Sequence, residues 1–308
     1  MRVAAIDCGT NSVRLLIADL PEVAGKPLVE LERRMEIVRL GQGVDRTGRL
    51  APEALARTFT AMRGYQELIE LHGAGAVRVV ATSATRDAAN RQEFVDGVRE
   101  IFGVEPEVVT GAEEAELSFV GAIRGLGELP EGPYLVVDIG GGSTEFVIGS
   151  EQVEGALSVD IGCVRLSERH LRDAGDPPSV AALEAVVADI ETALDLVDAV
   201  VPVAGARTLV GLAGSVTTVA GIALELPVYD PERIHHAVIS AESVHEVTRA
   251  LVAMNHDERK RIPVMHPGRV DVIAAGALIL DRIVRRYAFT QVVVSEHDIL
   301  DGIAWSLS

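Results

Sequence analysis

A chain of 308 residues, 48% hydrophobic and 24% charged, is long enough for two domains of ordinary core size and has a globular composition. Its net charge of −18 argues against general binding to nucleic acid or anionic membrane, which needs a basic surface. Lysine occurs only as Lys26 and Lys260, so a polyanionic substrate would have to be met by arginine forks and by metal.

Taken in order, Arg2–Asp19 reads as a strand hairpin broken at Asp7, which is no secretory leader. Residues 28–40 read as a third strand. Pro52 opens a helix with Leu55, Phe59, Met62 and Ile69 at helical spacing, and Gly73 stops it. Val77–Ala81 is a buried strand running into Thr82-Ser83-Ala84-Thr85-Arg86. A helix carrying Phe94, Val98 and Ile101 and a strand through Val109 follow. Thr110-Gly111-Ala112-Glu113 is a capping box that starts the next helix. Gly125–Pro133 reads as a linker. Beyond it come a second hairpin (135–148), a strand near 153–158 and a helix over 179–200. A buried strand then enters Ala213-Gly214-Ser215 and a further helix. Helices over 240–253, 269–287 and 299–306 and a strand over 290–295 complete the chain. The charge-free window 208–224 falls short of the roughly 20 apolar residues that a membrane span needs. Cys8 and Cys163 have no CxxC or metal spacing, which predicts a reduced, cytoplasmic setting.

The second hairpin turns through Asp138-Ile139-Gly140-Gly141-Gly142-Ser143-Thr144-Glu145. Its glycines allow a tight turn and bring N–H groups close to a small anion, a phosphate cradle. An offset of 131 lays Asp7-Cys8-Gly9-Thr10-Asn11-Ser12 over it, with Asp on Asp, Gly9 on Gly140 and Ser12 on Ser143. The chain thus reads as two related α/β halves, 1–125 and 126–308, with a cleft between them and the last helix free to pack back on the first. Gly9, Thr10, Asn11 and Ser12, and Gly140, Gly141, Gly142 and Ser143, are the candidate phosphate-holding residues. Asp7 and Asp138 end matching strands beside these loops, where acids would repel phosphate unless a hard cation such as Mg²⁺ lay between. Gly214 and Ser215 at a helix N-terminus are a further anion-binding candidate. No GxxxxGK[ST] loop, dinucleotide fingerprint or GxSxG elbow is present.

Glu114 is the candidate general base, a carboxylate held on the first turn of a helix, whereas Glu113 completes the capping box. By alternation from Phe146, Glu145 points away from the core. The eight histidines are scattered and form no metal pattern.

The paired loops resemble those of the actin, hexokinase and heat-shock-ATPase superfamily. With Thr110-Gly111-Ala112-Glu113-Glu114-Ala115 and Gly211-Leu212-Ala213-Gly214-Ser215 in order, the whole chain resembles the exopolyphosphatase and guanosine pentaphosphate phosphatase family. The resemblance implies two ribonuclease-H-like (actin-like ATPase) lobes and a Mg²⁺-dependent phosphoanhydride hydrolase. It makes Glu114 the catalytic glutamate and Glu145 a water- or metal-orienting acid, so that Asp7, Asp138 and Glu145 are the predicted metal set. It gives Arg86 a phosphate contact, although a structural ion pair reads equally well from the residues. The implied substrate is inorganic polyphosphate, with guanosine pentaphosphate as the alternative, and a homodimer is implied by the resemblance only. Longer family members carry C-terminal helical domains that this sequence lacks, which predicts a preference for short polyphosphate. The rivals from other classes are an ATP-using kinase, which would lack the Glu114 motif, and a non-enzymatic alarmone or nucleotide sensor.

Overall fold

In a computed structural model, which describes residues 1–23, 26–124 and 131–308, the chain divides into two units. One is Met1–Gly125 with His297–Ser308; the other is Leu126–Glu296. The predicted linker lies outside the described residues as far as Pro130. The second unit stops at Glu296, and the last helix belongs to the first unit, the packing back that the sequence reading allows for.

The first unit holds β1 (Arg2–Cys8), β2 (Ser12–Asp19), β3 (Val29–Ile37), β4 (Ala76–Ala81) and β5 (Glu107–Val108), in the sheet order β3-β2-β1-β4-β5. β1 runs antiparallel to β2 and parallel to β4. Its apolar run is unbroken because both faces are covered. Ala4, Ile6 and Cys8 pack with Met62, Tyr65 and Phe94, while Val3 and Ala5 pack with Leu117, Leu300 and Ile303. Side chains alternate along a strand, so Asp7 shares the face of Val3 and Ala5. The helix Pro52–His72 begins on Pro52 and ends at Gly73, whose φ of 66° closes it in the left-handed region, as the sequence predicts.

Two helices of this unit, Gly111–Arg124 and Ile299–Trp305, cross with their backbones in close approach. A Cβ on Gly121 would lie 1.8 Å from the Asp298 carbonyl oxygen, and one on Gly302 would lie 2.0 Å from that of Leu117. Gly121→Ala must push the helices apart. We expect it to cost about 3 kcal/mol, the upper end of overpacking, read as a lowered denaturation midpoint. A wild-type midpoint would refute the crossing.

The second unit holds β6 (Tyr134–Ile139), β7 (Thr144–Gly149), β8 (Val153–Val159), β9 (Thr208–Leu212), β10 (Val238–Ser240) and β11 (Gln291–Val294), in the order β10-β11-β9-β6-β7-β8. β6 is antiparallel to β7 and parallel to β9, and β9 is parallel to β11. Without the edge strand β10, this repeats the first sheet strand for strand, so the duplication extends well beyond the loops. Helices Val180–Val200, Ala213–Ala223, Ala241–Ala253 and Ile273–Arg286 supply residues to its core.

Several elements differ from the sequence reading, among them the short helices Val44–Thr47, Ser83–Asp87, Pro231–Ile234 and His256–Lys260, which the sequence did not suggest. β10 was not expected, and neither was the helical stretch from Cys163 to Leu171. The helix expected from Arg269 starts at Ile273, after a 3-10 turn over Pro267–Arg269. The charge-free window forms β9 and the Ala213–Ala223 helix. Among the described residues no helix is long and apolar enough to cross a membrane.

Candidate active site

The two glycine loops close in the same way. Gly9 N–H donates to the Ser12 carbonyl at 2.9 Å, and Gly140 N–H donates to that of Ser143 at 3.0 Å. Both loops are then tied back through their carbonyls. Thr10 O accepts from Gly41 N–H at 2.8 Å, and Asn11 O accepts from the Val38 and Arg39 amides at 3.0 and 2.8 Å. In the second loop Gly140 O accepts from Cys163 N–H, and Gly141 O accepts from the amides of Val164 and Arg165 at 2.9 and 3.0 Å. The Arg165 Nε donates to Gly142 O at 2.7 Å. The loop amides of Thr10 and Asn11, and of Gly141, Gly142 and Ser143, have no backbone acceptor among the described residues. Carbonyls satisfied and amides open is the chemistry of an anion cradle.

Sequence pairing across each hairpin sets the acids. Asp7 faces Arg14 across β1 and β2, and Asp138 faces Glu145 across β6 and β7. The repeat keeps the acid at the strand end and replaces its cationic neighbour by a second acid. Asp7, 4% exposed, accepts from Arg14 Nε and Nη2 through Oδ2 at 3.0 and 2.7 Å. Burial pushes its carboxyl up against the pull of Arg14, and the charge of Asp298 adds to that rise. Its Oδ1 is buried with no hydrogen-bond partner. Glu145 faces away from the Phe146 side of its strand as alternation predicts, yet it is buried at 1% exposure. Its Oε1 accepts from Ser158 Oγ at 2.7 Å.

The capping box is present: Glu113 Oε2 accepts from the Thr110 amide and hydroxyl, both at 2.8 Å. The backbone amide of Thr110 holds the Glu113 carboxyl below the usual range, with the hydroxyl adding to it. That leaves Glu114 for other work. It is 7% exposed, and its Oε2 accepts from Arg86 Nη1 at 3.0 Å. The same Arg86 nitrogen donates to Val109 O at 2.9 Å, which anchors the guanidinium to the strand end before the helix. Arg86, which the sequence reads equally as a phosphate contact and as an ion pair, is thus engaged with the candidate base.

Gly214 and Ser215 begin the Ala213–Ala223 helix, entered through Ala213 at φ 66°. A Cβ on Gly214 would lie 2.3 Å from the Arg269 guanidinium, so glycine lets that cation lie against the turn. Arg269 Nη1 donates to Thr218 Oγ1 at 3.2 Å. Burial pushes the Cys163 thiol up, and the buried Ser215 hydroxyl beside it works against that rise.

The predicted Mg²⁺ can be tested against the donors. Among the described residues no group of three or more His, Cys, Asp or Glu could hold a metal ion by itself. Mg²⁺ takes one or two carboxylates and fills its other positions with water and substrate phosphate. In the first unit the open Oδ1 of Asp7 is a donor of the kind such an ion takes, and in the second the acids Asp138 and Glu145 stand opposite each other across β6 and β7.

Two participants escaped the sequence reading. Ser158 orients Glu145, and Asp298 accepts from Arg14 Nη1. Only Asp298 had a visible signal, the Asp298-x-x-Asp301 capping pattern before an apolar run.

Exopolyphosphatase 2 of Mycobacterium tuberculosis is 48% identical over 317 residues, covering 100% of this chain and 98% of that protein. A solved exopolyphosphatase-like protein superposes with a TM-score of 0.94 at 42% identity, covering 100% of this chain and 98% of that one. The Aquifex aeolicus PPX-GPPA enzyme gives a TM-score of 0.82 at 32% identity and 99% coverage of both chains. The duplicated α/β fold is accordingly the one these solved proteins share. The model of the Ppx/GppA phosphatase family matches residues 18–307, and with relatives alike over their full length the chain belongs to that family.

Proposed function

We propose that this protein is an exopolyphosphatase that releases terminal orthophosphate from inorganic polyphosphate, with Glu114 as general base. The observation that carries the reading is the buried Glu114 carboxylate, fixed by Arg86 on the first turn of its helix. Such an acceptor suits a proton taken from water and has no need of an organic hydroxyl. The relative named exopolyphosphatase 2 supports polyphosphate as the substrate over guanosine pentaphosphate.

In this reading the open amides of both glycine loops hold phosphate oxygens. Glu114 accepts a proton from water as the water oxygen bonds to the terminal phosphorus. The bridging P–O bond breaks, and its electrons leave on a polyphosphate one unit shorter. Each unit offers acids to Mg²⁺, Asp7 in the first and Asp138 and Glu145 in the second, and the ion when bound would neutralise charge on the transferred phosphoryl group. Arg86 orients Glu114 through the Nη1 hydrogen bond. Positioning and electrostatics supply most of the acceleration.

A phosphate-release panel with polyphosphate, guanosine pentaphosphate and ATP, with and without Mg²⁺, tests the assignment. Polyphosphate should give the highest kcat/KM and should require Mg²⁺. A higher kcat/KM for guanosine pentaphosphate would make the alarmone the substrate, and no turnover of any of the three would end the enzyme reading.

A further inference from the structure

Arg14 serves two buried acids at once. It donates from Nε and Nη2 to Asp7 Oδ2 and from Nη1 to Asp298 Oδ2. Asp7 and Asp298 are 4% and 3% exposed. Two carboxylates against one guanidinium leave an excess of one negative charge in a buried place, where an uncompensated charge is costly. The excess has one outlet. Asp298 Oδ1 accepts from Leu300 N–H at 3.0 Å, both Oδ2 atoms are taken by Arg14, and Asp7 Oδ1 has no partner.

The place of Asp298 does not depend on Arg14. It is the N-cap of the Ile299–Trp305 helix in a capping box with Asp301. Asp301 in turn accepts from Arg33 Nη2 at 2.6 Å. The Asp298 carbonyl also lies against Gly121 of the Glu114 helix, so the same residue touches the element that carries the candidate base.

We propose that Asp298 is a positioning residue that keeps Asp7 available to a divalent cation. It shares the charge of Arg14, so that Arg14 orients Asp7 through Oδ2 without neutralising it. Without Asp298 the Asp7–Arg14 pair is neutral and its attraction for a cation falls. The inference rests on the reading of Asp7 as a cation ligand, and the experiment separates the two.

Asp298→Asn removes the charge and keeps a side-chain oxygen able to cap the helix. Mn²⁺ binding to the full chain, followed by the spectrum of free Mn²⁺, is compared for wild type, Asp7→Asn and Asp298→Asn. The Mg²⁺ concentration for half-maximal phosphate release is measured beside it. Asp298→Asn should weaken Mn²⁺ binding by roughly tenfold and raise the half-activating Mg²⁺ concentration similarly, while kcat at saturating Mg²⁺ stays near wild type. A merely structural residue would lower kcat and would not be rescued by Mg²⁺. Wild-type Mn²⁺ affinity in Asp298→Asn, with binding lost in Asp7→Asn, overturns this inference alone. Mn²⁺ binding by Asp7→Asn equal to wild type overturns the cation reading of Asp7 itself. If Asp298→Asn fails to fold, Asp298→Ser, another good cap, is read in the same way; failure of both would make Asp298 structural and overturn the proposal.

Discussion

Glu114→Gln should lower kcat by ~10²–10⁴-fold and leave polyphosphate binding close to that of wild type. The amide is nearly isosteric, and its oxygen can still accept from Arg86, which stands 3.0 Å from Oε2. What it loses is the capacity to take a proton from water. The neighbouring Glu113→Gln is the control, because that side chain is committed to the Thr110 amide and hydroxyl. It should cost helix stability and little turnover. Steady-state phosphate release with a separate binding measurement decides the matter. Wild-type kcat in Glu114→Gln would remove the general base from the account. Loss of binding with kcat retained would make Glu114 a substrate contact. The same pair of measurements separates a hydrolase from a non-enzymatic sensor, which would keep its function in this variant.

Gly162→Ala should damage the second phosphate loop without altering any group that touches substrate. The backbone at Gly162 has φ −133° and ψ 159°, which any residue can adopt, so conformational freedom is not the reason for glycine. Close approach is. A Cβ there would stand 2.3 Å from the carbonyl carbon and oxygen of Gly141 and 2.5 Å from the Gly142 nitrogen. These are backbone atoms already tied by the amides of Val164 and Arg165, so the loop itself has to move. Misplacement of phosphate-holding amides by about an ångström can cost ~10²-fold, and that is the fall in kcat/KM expected here. Overpacking adds about 1–3 kcal/mol of destabilisation. Circular dichroism establishes that the variant is folded before its kinetics are read. A folded variant with wild-type kcat/KM would show that the loop does not hold substrate.

Features governed by neighbours in sequence were legible from the sequence. The Thr110–Glu113 capping box, the Pro52 and Gly73 helix ends and the paired Asp-x-Gly turns depend on contacts a few residues apart, so spacing reports them directly. The same logic exposed the duplication, because both halves close their turns with the same glycine-to-serine hydrogen bond. What spacing does not report is who meets whom across the fold. Arg14 and Asp298 are 284 residues apart, and Arg86 and Glu114 are 28 apart. Arg86 reads equally as a phosphate contact and as one half of an ion pair, and spacing does not name Glu114 as the partner. Glu145 shows the same limit from the other side. Alternation gave its face correctly, but a face away from the apolar core is exposed only if nothing covers it, and here it is covered. β10, three residues long at a sheet edge, is too short to show a period. The return of His297–Ser308 to the first unit, which the sequence reading allows for, rests on the Gly121–Gly302 crossing, whose close approach has no local sequence signature.

The central claim is removal of one terminal phosphoryl at a time by water. Defined-length polyphosphate incubated with the protein and Mg²⁺, quenched at intervals and resolved by gel, tests it most directly. Orthophosphate should be the small product from the earliest time point, with the polymer shortened from its ends and its release by Glu114→Gln slowed ~10²–10⁴-fold in the same assay. Fragments of intermediate length without orthophosphate, or equal orthophosphate release by Glu114→Gln, would contradict it.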